Sequence, residues 1–253
     1  MRVIDLSVNI SEKIKEPLPT KILYENHEEC VENMGKILFK DLEGDVFVNG
    51  KGLAGETINL TTHSGTHVDA PYHYSPTCAG EPSRTIDELP LEWFFNDGVV
   101  LDFTDKPEGY LIEPEDLIEK LSAINYTLKP LDIVLIRCDA DKRIHDDEYV
   151  KIHVGASAKA THWLIDQGIK VMGTDGWGWD IPLHLQIQRF KQTPREGIIW
   201  EAHYVGIEKE YCQIEKLANL DQLPSFGFKV ACFPTKIEKA SAGWTRAVAI
   251  LGM

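Results

Sequence analysis

Three apolar runs of strand length stand in the middle of the chain, with helical patterns between them. Gly98-Val-Val-Leu-Asp-Phe103, Asp132-Ile-Val-Leu-Ile-Arg-Cys138 and Ile169-Lys-Val-Met-Gly-Thr174 are dominated by residues that favour strands. Between the first two, Glu113–Ile124 carries Pro114 at a first helical turn, where a missing N–H costs nothing. Between the second and third, Ser157 can cap a helix through Asp166, and Gly168 can end it. Strand-helix-strand-helix-strand is the grammar of parallel strands joined by crossover helices, so the expected class is α/β. Further strands are expected at Val3–Val8, Thr57–Thr62, Phe226–Phe233 and Trp244–Leu251, which makes the sheet mixed and flanked by helices. Ile22–Leu38 has apolar residues near helical spacing (Leu23, Cys30, Val31, Met34, Leu38) and predicts a helical excursion. Asn49–Gly55, with three glycines, reads as a turn-rich link.

The chain has 253 residues and no internal repeat, low-complexity tract or flexible linker, so residues 1–253 read as one domain. A net charge of −14 argues against nucleic acid or an anionic membrane as partner, since either needs a basic patch. The N-terminal MRVIDLSVNI has no apolar signal core, and no later window approaches a membrane-spanning run, so a cytoplasmic protein is expected. The five cysteines (Cys30, Cys78, Cys138, Cys212, Cys232) are odd in number and form no Cys-x-x-Cys pair, which points to reduced thiols.

The run His63-Ser-Gly-Thr-His67-Val-Asp69-Ala-Pro-Tyr-His73 concentrates the chemistry. Gly65 and Pro71 disfavour a helix, and the residues before them prefer strand, so a strand entering a tight turn is expected. On extended backbone His67 and Asp69 point to one side, and a turn at Gly65 can swing His63 beside them. Imidazole nitrogens and a carboxylate oxygen suit a divalent cation such as zinc or manganese, and three protein ligands leave the open position of a catalytic site. A cation so held lowers the pKa of water from about 16 towards 7 and polarises a carbonyl, which fits hydrolysis of an amide, lactam or ester. His73 lies four residues beyond Asp69, across Pro71. It can face the site without ligating and, titrating near neutrality, return a proton to a poor leaving group. Cys78, close after the motif, is a weaker ligand candidate than a core or loop residue. Trp177 and Trp179 flank glycines beside Asp175, and Tyr72 sits in the motif; each is a candidate to grip a flat substrate ring, and equally a candidate core or interface aromatic.

The pattern His-x-Gly-Thr-His-x-Asp-x-Pro-x-His resembles the signature of the metal-dependent cyclase family, which includes bacterial kynurenine formamidases, isatin hydrolases and certain aromatic polyketide cyclases. Asp5-Leu-Ser, Gly173-Thr-Asp175 and Glu215-Lys-Leu-Ala-Asn219-Leu220, with Pro234 and Arg246, are similar to other segments of that family. The resemblance implies a swivelling β/β/α fold assembled as a homodimer or homotetramer. It implies that His63, His67 and Asp69 hold one metal, that Asp69 bridges to a second completed by His203 and Glu215, and that His73 is the proton donor. One or two zinc or manganese ions per subunit follow. Spacing alone does not single out His203 or Glu215, and Glu208, Glu210 and Lys216 around Glu215 read as a solvated helix face. The chain departs from compact formamidases in its longer Asp5-to-His63 spacing and in Trp177 and Trp179, which replace small residues. Trp200-Glu-Ala-His203 and Ser241-Ala-Gly-Trp244-Thr-Arg246 look closer to the polyketide-cyclase and isatin-hydrolase branches. The expected function is a metal-dependent hydrolase cleaving a C–N or C–O bond of a small aromatic substrate. The alternatives are an aromatic polyketide cyclase using the same site, and a metal-binding protein without catalysis.

Overall fold

The three apolar runs become the parallel core of a nine-stranded sheet in the computed structural model, which describes residues 1–40 and 46–252. In chain order the strands are β1 (Arg2–Asp5), β2 (Lys21–Glu25), β3 (Gly55–Asn59), β4 (His67–Asp69), β5 (Phe95–Asp102), β6 (Ile133–Arg137), β7 (Val171–Thr174), β8 (Cys212–Glu215), β9 (Phe226–Ala231), β10 (Ala242–Trp244) and β11 (Val248–Leu251). The large sheet runs β1-β11-β9-β5-β6-β7-β8-β4-β10, while β2 and β3 pair apart from it. Strands β5 to β8 are mutually parallel and the outer strands antiparallel. Crossover helices α2 (Pro114–Ala123) and α3 (Ala158–Asp166) join the parallel strands, after the short α1 (Pro71–Tyr74); α4 (Leu183–Gln192) follows β7. Both crossover helices start as their sequences require. The Asp116 carboxylate accepts the Glu113 N–H at 2.9 Å, and Ser157 Oγ accepts the Ala160 N–H at 3.0 Å.

The central strand β6 is buried on both faces, as a helix-covered parallel strand must be. Ile133 and Leu135 join the core with Val68, Val171 and Ile214, whereas Val134 and Ile136 join the core under α2 and α3 with Leu117 and Leu164. The sheet also curls. β10 and β11 stand eight places and one place from the β1 edge, yet only residues 245–247 separate them. Seven strand spacings on a flat sheet would span about 34 Å, and a four-step link reaches no more than about 15 Å. The two edges therefore approach each other, and the Leu6 N–H to Ala247 O and Ala218 N–H to Leu6 O bonds (2.9 and 2.8 Å) stitch them.

Three expectations change. The helical excursion begins at His27, not Ile22: Asn26 Oδ1 accepts the N–H groups of Glu28 and Glu29, and residues 21–25 before it pair as β2 with β3. The strand expected over Thr57–Thr62 ends at Asn59, and turns carry the chain to His63. The strand expected over Trp244–Leu251 is two strands, because Thr245 turns to bond Thr66 O at 3.1 Å. Among the described residues no helix is long and apolar enough to cross a membrane.

Candidate metal centre

β4 lies between β8 and β10 with Glu215 opposite His67 and Gln213 opposite Asp69. Residues directly opposite in an antiparallel pair share a face, so this register sets Glu215 beside the motif. Glu215 is thus a strand residue buried to 8% exposure, not a charge on a solvated helix. The turn before β4 passes through Gly65 at φ +62°, a left-handed conformation that glycine adopts without strain, and returns His63 to the side of Asp69. The next segment opens α1 with Pro71 at its first turn and carries His73. His203 begins a short helical turn, His203–Ile207, far along the chain.

The six residues converge. His63 Nδ1 stands 2.8 Å and His67 Nε2 3.3 Å from Asp69 Oδ1; His73 Nε2 and His203 Nε2 are each 4.0 Å from Asp69 Oδ2. Glu215 closes the group, with Oε2 3.5 Å from His67 Nε2 and Oε1 3.6 Å from His203 Nε2. Within this cluster the groupings whose ligand atoms lie within 4.8 Å of one another are His63–Asp69–His73 and His67–Asp69–Glu215; Asp139, Asp141 and Asp175 form a third, all-carboxylate grouping elsewhere. Asp69 is common to the first two, and His73 falls in the first, with Nε2 4.0 Å from Asp69 Oδ2. Among the described residues no such grouping includes Cys78.

Electrostatics describe a cluster short of positive charge. Burial favours the neutral acid of Asp69, but the imidazoles of His73, His67 and His63 outweigh it and hold the carboxyl well below the usual range. Glu215 moves up, through burial and the Asp69 charge. Burial alone would lower His203, yet its contact with Asp180 (Nδ1 to Oδ2, 2.5 Å) lifts it to about 9. His63 is also raised, the Asp69 carboxylate outweighing burial. Burial takes His73 down to about 4, so this ring is neutral at pH 7 rather than poised there.

These residues fit a divalent cation. Asp69 Oδ2 and His67 Nε2 are buried without a hydrogen-bond partner, and Asp69 Oδ1 has only the close approach of His63 Nδ1; such buried atoms are nearly always paired. His67 Nδ1 is bonded to Gly65 O at 2.8 Å, which leaves Nε2 as the free acceptor. The proton retained on His203 meets the same demand that a cation would meet by displacing it.

A cavity of about 590 Å³ opens beside the cluster, a size suited to a small ligand. His63, His73, His203 and Glu215 form one wall, and Trp177, Ile181, Leu183, Trp200 and Tyr204 give it an apolar side. Of the three aromatic candidates, Trp177 lines this cavity. Trp179 does not: its ring is 2% exposed in the core, where Nε1–H bonds Thr161 Oγ1 at 2.9 Å, and its backbone N–H reaches Glu215 Oε1 at 3.1 Å. Tyr72 is 46% exposed outside the lining, because α1 turns it to the surface when His73 faces inward. The sequence reading missed Asp180, which accepts the N–H of Ala202 (2.9 Å) besides holding His203. The acidic end of the Trp-rich run was its only signal. It assigned Asp175 no role either; buried between β6 and β7, that carboxylate accepts the N–H groups of Cys138 and Asp139 at 2.9 Å.

A family model described as "Putative cyclase" matches residues 4–181. Kynurenine formamidase of Erythrobacter litoralis is 28% identical over 191 residues, covering 76% of this chain and 74% of that protein. Isatin hydrolase of Roseibium aggregatum is 27% identical over 212 residues, covering 80% of this chain and 77% of that protein. Among solved structures, isatin hydrolase A of Ralstonia solanacearum superposes with a TM-score of 0.77 at 22% identity, covering 99% of this chain and 92% of that one. That superposition establishes a shared fold.

Proposed function

This chain belongs to the cyclase family, and on that premise we propose that it is a metal-dependent hydrolase opening an amide or lactam C–N bond of a small aromatic molecule. The observation that carries the reading is the pairing of an unsatisfied His/Asp/Glu cluster with a mostly apolar cavity at its side. His63, His67, Asp69, His203 and Glu215 would hold one or two zinc or manganese ions, a choice that imidazole and carboxylate ligands leave to availability. When bound, the cation supplies acidified water and a polarised substrate carbonyl.

The chain's own residues supply the rest. His73, neutral at pH 7, accepts the proton that water loses as the new C–O bond forms. It returns that proton to the nitrogen as the C–N bond breaks, so the ring ends as it began. Asp180 fixes the orientation of His203. Trp177, Trp200 and Tyr204 offer faces for an aromatic ring and exclude water around it. Relatives named for formamide and lactam substrates favour hydrolysis over polyketide cyclisation, and the adjoining cavity favours catalysis over metal storage.

We also propose a homodimer or homotetramer in the cytoplasm. Leu23, Tyr24, Val48 and Leu53 are each more than 60% exposed around the β2–β3 pair, an apolar surface that a second copy would cover. Five free thiols suit a reducing compartment. The deciding experiment loads the purified protein with zinc or manganese and offers an aryl formamide, isatin and an aryl ester. Metal-dependent turnover of the formamide or isatin is expected. Turnover of none, with metal bound, would refute the hydrolase reading.

A further inference from the structure

Lys216 follows Glu215 directly, and consecutive residues of a strand point to opposite faces; yet both line the cavity. The reason is local. β8 ends at Glu215, and Lys216 adopts φ +58°, a left-handed conformation that costs energy in a residue with a side chain. Two bonds hold it there: its N–H reaches Gly176 O at 3.0 Å, and its carbonyl accepts the Thr66 hydroxyl at 2.6 Å. The side chain is thereby sent to the cavity floor, where it is 4% exposed. Nζ donates to His63 O at 2.7 Å, pairs with Glu16 Oε1 at 2.8 Å and lies 5.8 Å from the centre of the Trp177 ring. Glu16 is as deeply buried, at 7% side-chain exposure, and its Oε1 also accepts the Gly65 N–H at 3.4 Å.

A buried ion pair is weak evidence for stability, because desolvation cancels most of the attraction; its attested use is to fix register. The register here is that of the N-terminal strap. Residues 11–20 contain no strand or helix, and their internal bonds are local: Ile14 N–H to Ser11 O, Glu16 N–H to Ile14 O and Lys13 N–H to Ser11 Oγ. Ahead of Thr20, which is also buried, two anchors tie the strap to the body. Ile14 packs with Tyr149 and Ile152, and Glu16 meets Lys216. The Lys15–Asp147 pair at 3.6 Å is exposed and weak. Beyond Glu16, Pro17 and Leu18 complete the cavity wall.

We propose that the Glu16–Lys216 pair is a latch that holds residues 16–18 against the metal centre, so that Leu18 sets the size of aromatic ring admitted and Glu16 is a positioning residue. The specificity part rests on the hydrolase reading above; the latch does not. Two measurements on metal-loaded protein test them separately. The first is amide hydrogen exchange over residues 11–20. Glu16→Ala is expected to speed exchange at least tenfold there, Glu16→Gln to do so less because an acceptor for Gly65 N–H remains, and Lys15→Ala to leave it unchanged. Equal exchange in wild type and Glu16→Ala, or an equal effect of Lys15→Ala, overturns the latch. The second compares one-ring and two-ring aryl formamides. Leu18→Ala is expected to raise KM about tenfold for the one-ring substrate, with the loss in KM rather than kcat, and to lower KM for the two-ring one. Unchanged KM for both overturns the role of Leu18. Wild-type protein that turns over neither substrate refutes the hydrolase reading and the specificity role with it, and the exchange measurement then decides the latch alone.

Discussion

Replacing Asp180 by asparagine removes one charge and keeps the number of heavy atoms, so the outcome isolates what the charge and its acceptor oxygen do. In the structure Asp180 Oδ1 accepts the Ala202 N–H at 2.9 Å, and Oδ2 takes His203 Nδ1 at 2.5 Å and the His203 N–H at 3.3 Å. Asparagine can keep the first bond through its oxygen. Its NH2 then faces His203, and an NH2 cannot accept the Nδ1 proton. The ring is driven to carry its proton on Nε2, the atom 3.6 Å from Glu215 and 4.0 Å from Asp69 that a cation would need. Loss of such an outer carboxylate costs about 10–100-fold in metal affinity, equivalent to roughly 1.4–2.7 kcal/mol. A colorimetric chelator competing for zinc reads the affinity directly. The same variant should bring the His203 pKa down from about 9, since the Asp180 contact supplies its largest upward pull, and imidazole NMR of the metal-free protein follows that. Zinc affinity within threefold of wild type, with His203 still titrating near 9, would refute the assignment of His203 as a ligand oriented by Asp180.

Gly206→Ala should disturb the site from behind. A Cβ there would meet Tyr74 Cδ2 at 2.2 Å, and Tyr74 stacks on Tyr211 at 4.8 Å next to His73, so a loss of about 1–3 kcal/mol in denaturant unfolding is expected; an unchanged midpoint would show that Tyr74 can yield. His153, which lines the cavity without belonging to the His/Asp/Glu cluster, tests pH linkage. Buried with its pKa lowered from 6.5 to about 4, it stays neutral in the folded chain while the unfolded chain takes up a proton. Its contribution is therefore complete above pH 6.5 and lost as pH falls to about 4, on the order of 3 kcal/mol. His153→Asn keeps a donor near Nδ1, which now bonds Val154 O, and should flatten the stability profile between those values; an unaltered slope counts against the assignment. Asp175→Ala orphans two backbone N–H groups at the end of β6 and should cost about 2–4 kcal/mol, or roughly 4–16 °C in Tm, a fall that calorimetry would detect.

The parallel core was legible because its signals are local. β-branched runs, a proline at a first turn and a serine cap each act within a few residues, and β5, α2, β6, α3 and β7 form where these signals lie. The motif's own geometry was legible for the same reason: Gly65 turns the chain, and His67 and Asp69 share a strand face. What failed was nonlocal. The 245–247 turn is decided by Thr66, about 180 residues earlier, and no periodicity in Trp244–Leu251 could disclose it. Glu215 read as a solvated charge because its neighbours Glu208, Glu210 and Lys216 are charged, yet Lys216 is itself buried by Glu16. Resemblance, not spacing, nominated Glu215 and His203. Asp180 had no nominator at all, since its value lies in which histidine it meets. Trp179 misled for the opposite reason: flanking glycines suggested a loop ring free to grip a ligand, and the core claimed it.

Closure of the sheet and convergence of the motif with Glu215 are one structural event, and Thr66 shows why. It stands between His63 and His67, and its hydroxyl accepts the Val8 N–H at 2.9 Å and donates to Lys216 O at 2.6 Å, while its carbonyl accepts the Thr245 N–H. One residue thus joins the N-terminal strand region, the β8 end that carries Glu215, and the link between β10 and β11. Each of these bonds spans more than fifty residues, so none forms until the chain's distant parts have met. Cation binding to His63, His67, Asp69, His203 and Glu215 would draw on the same long-range contacts, and by linkage must reinforce them. The candidate ligands His67, Asp69 and Glu215 are consequently placed at the seam where the curled sheet comes together, with β4 held by backbone bonds on both sides. That position gives the buried Asp69 carboxylate its shortage of positive charge, and it sets His73 on the one-turn helix at the rim, where the proposed mechanism uses it.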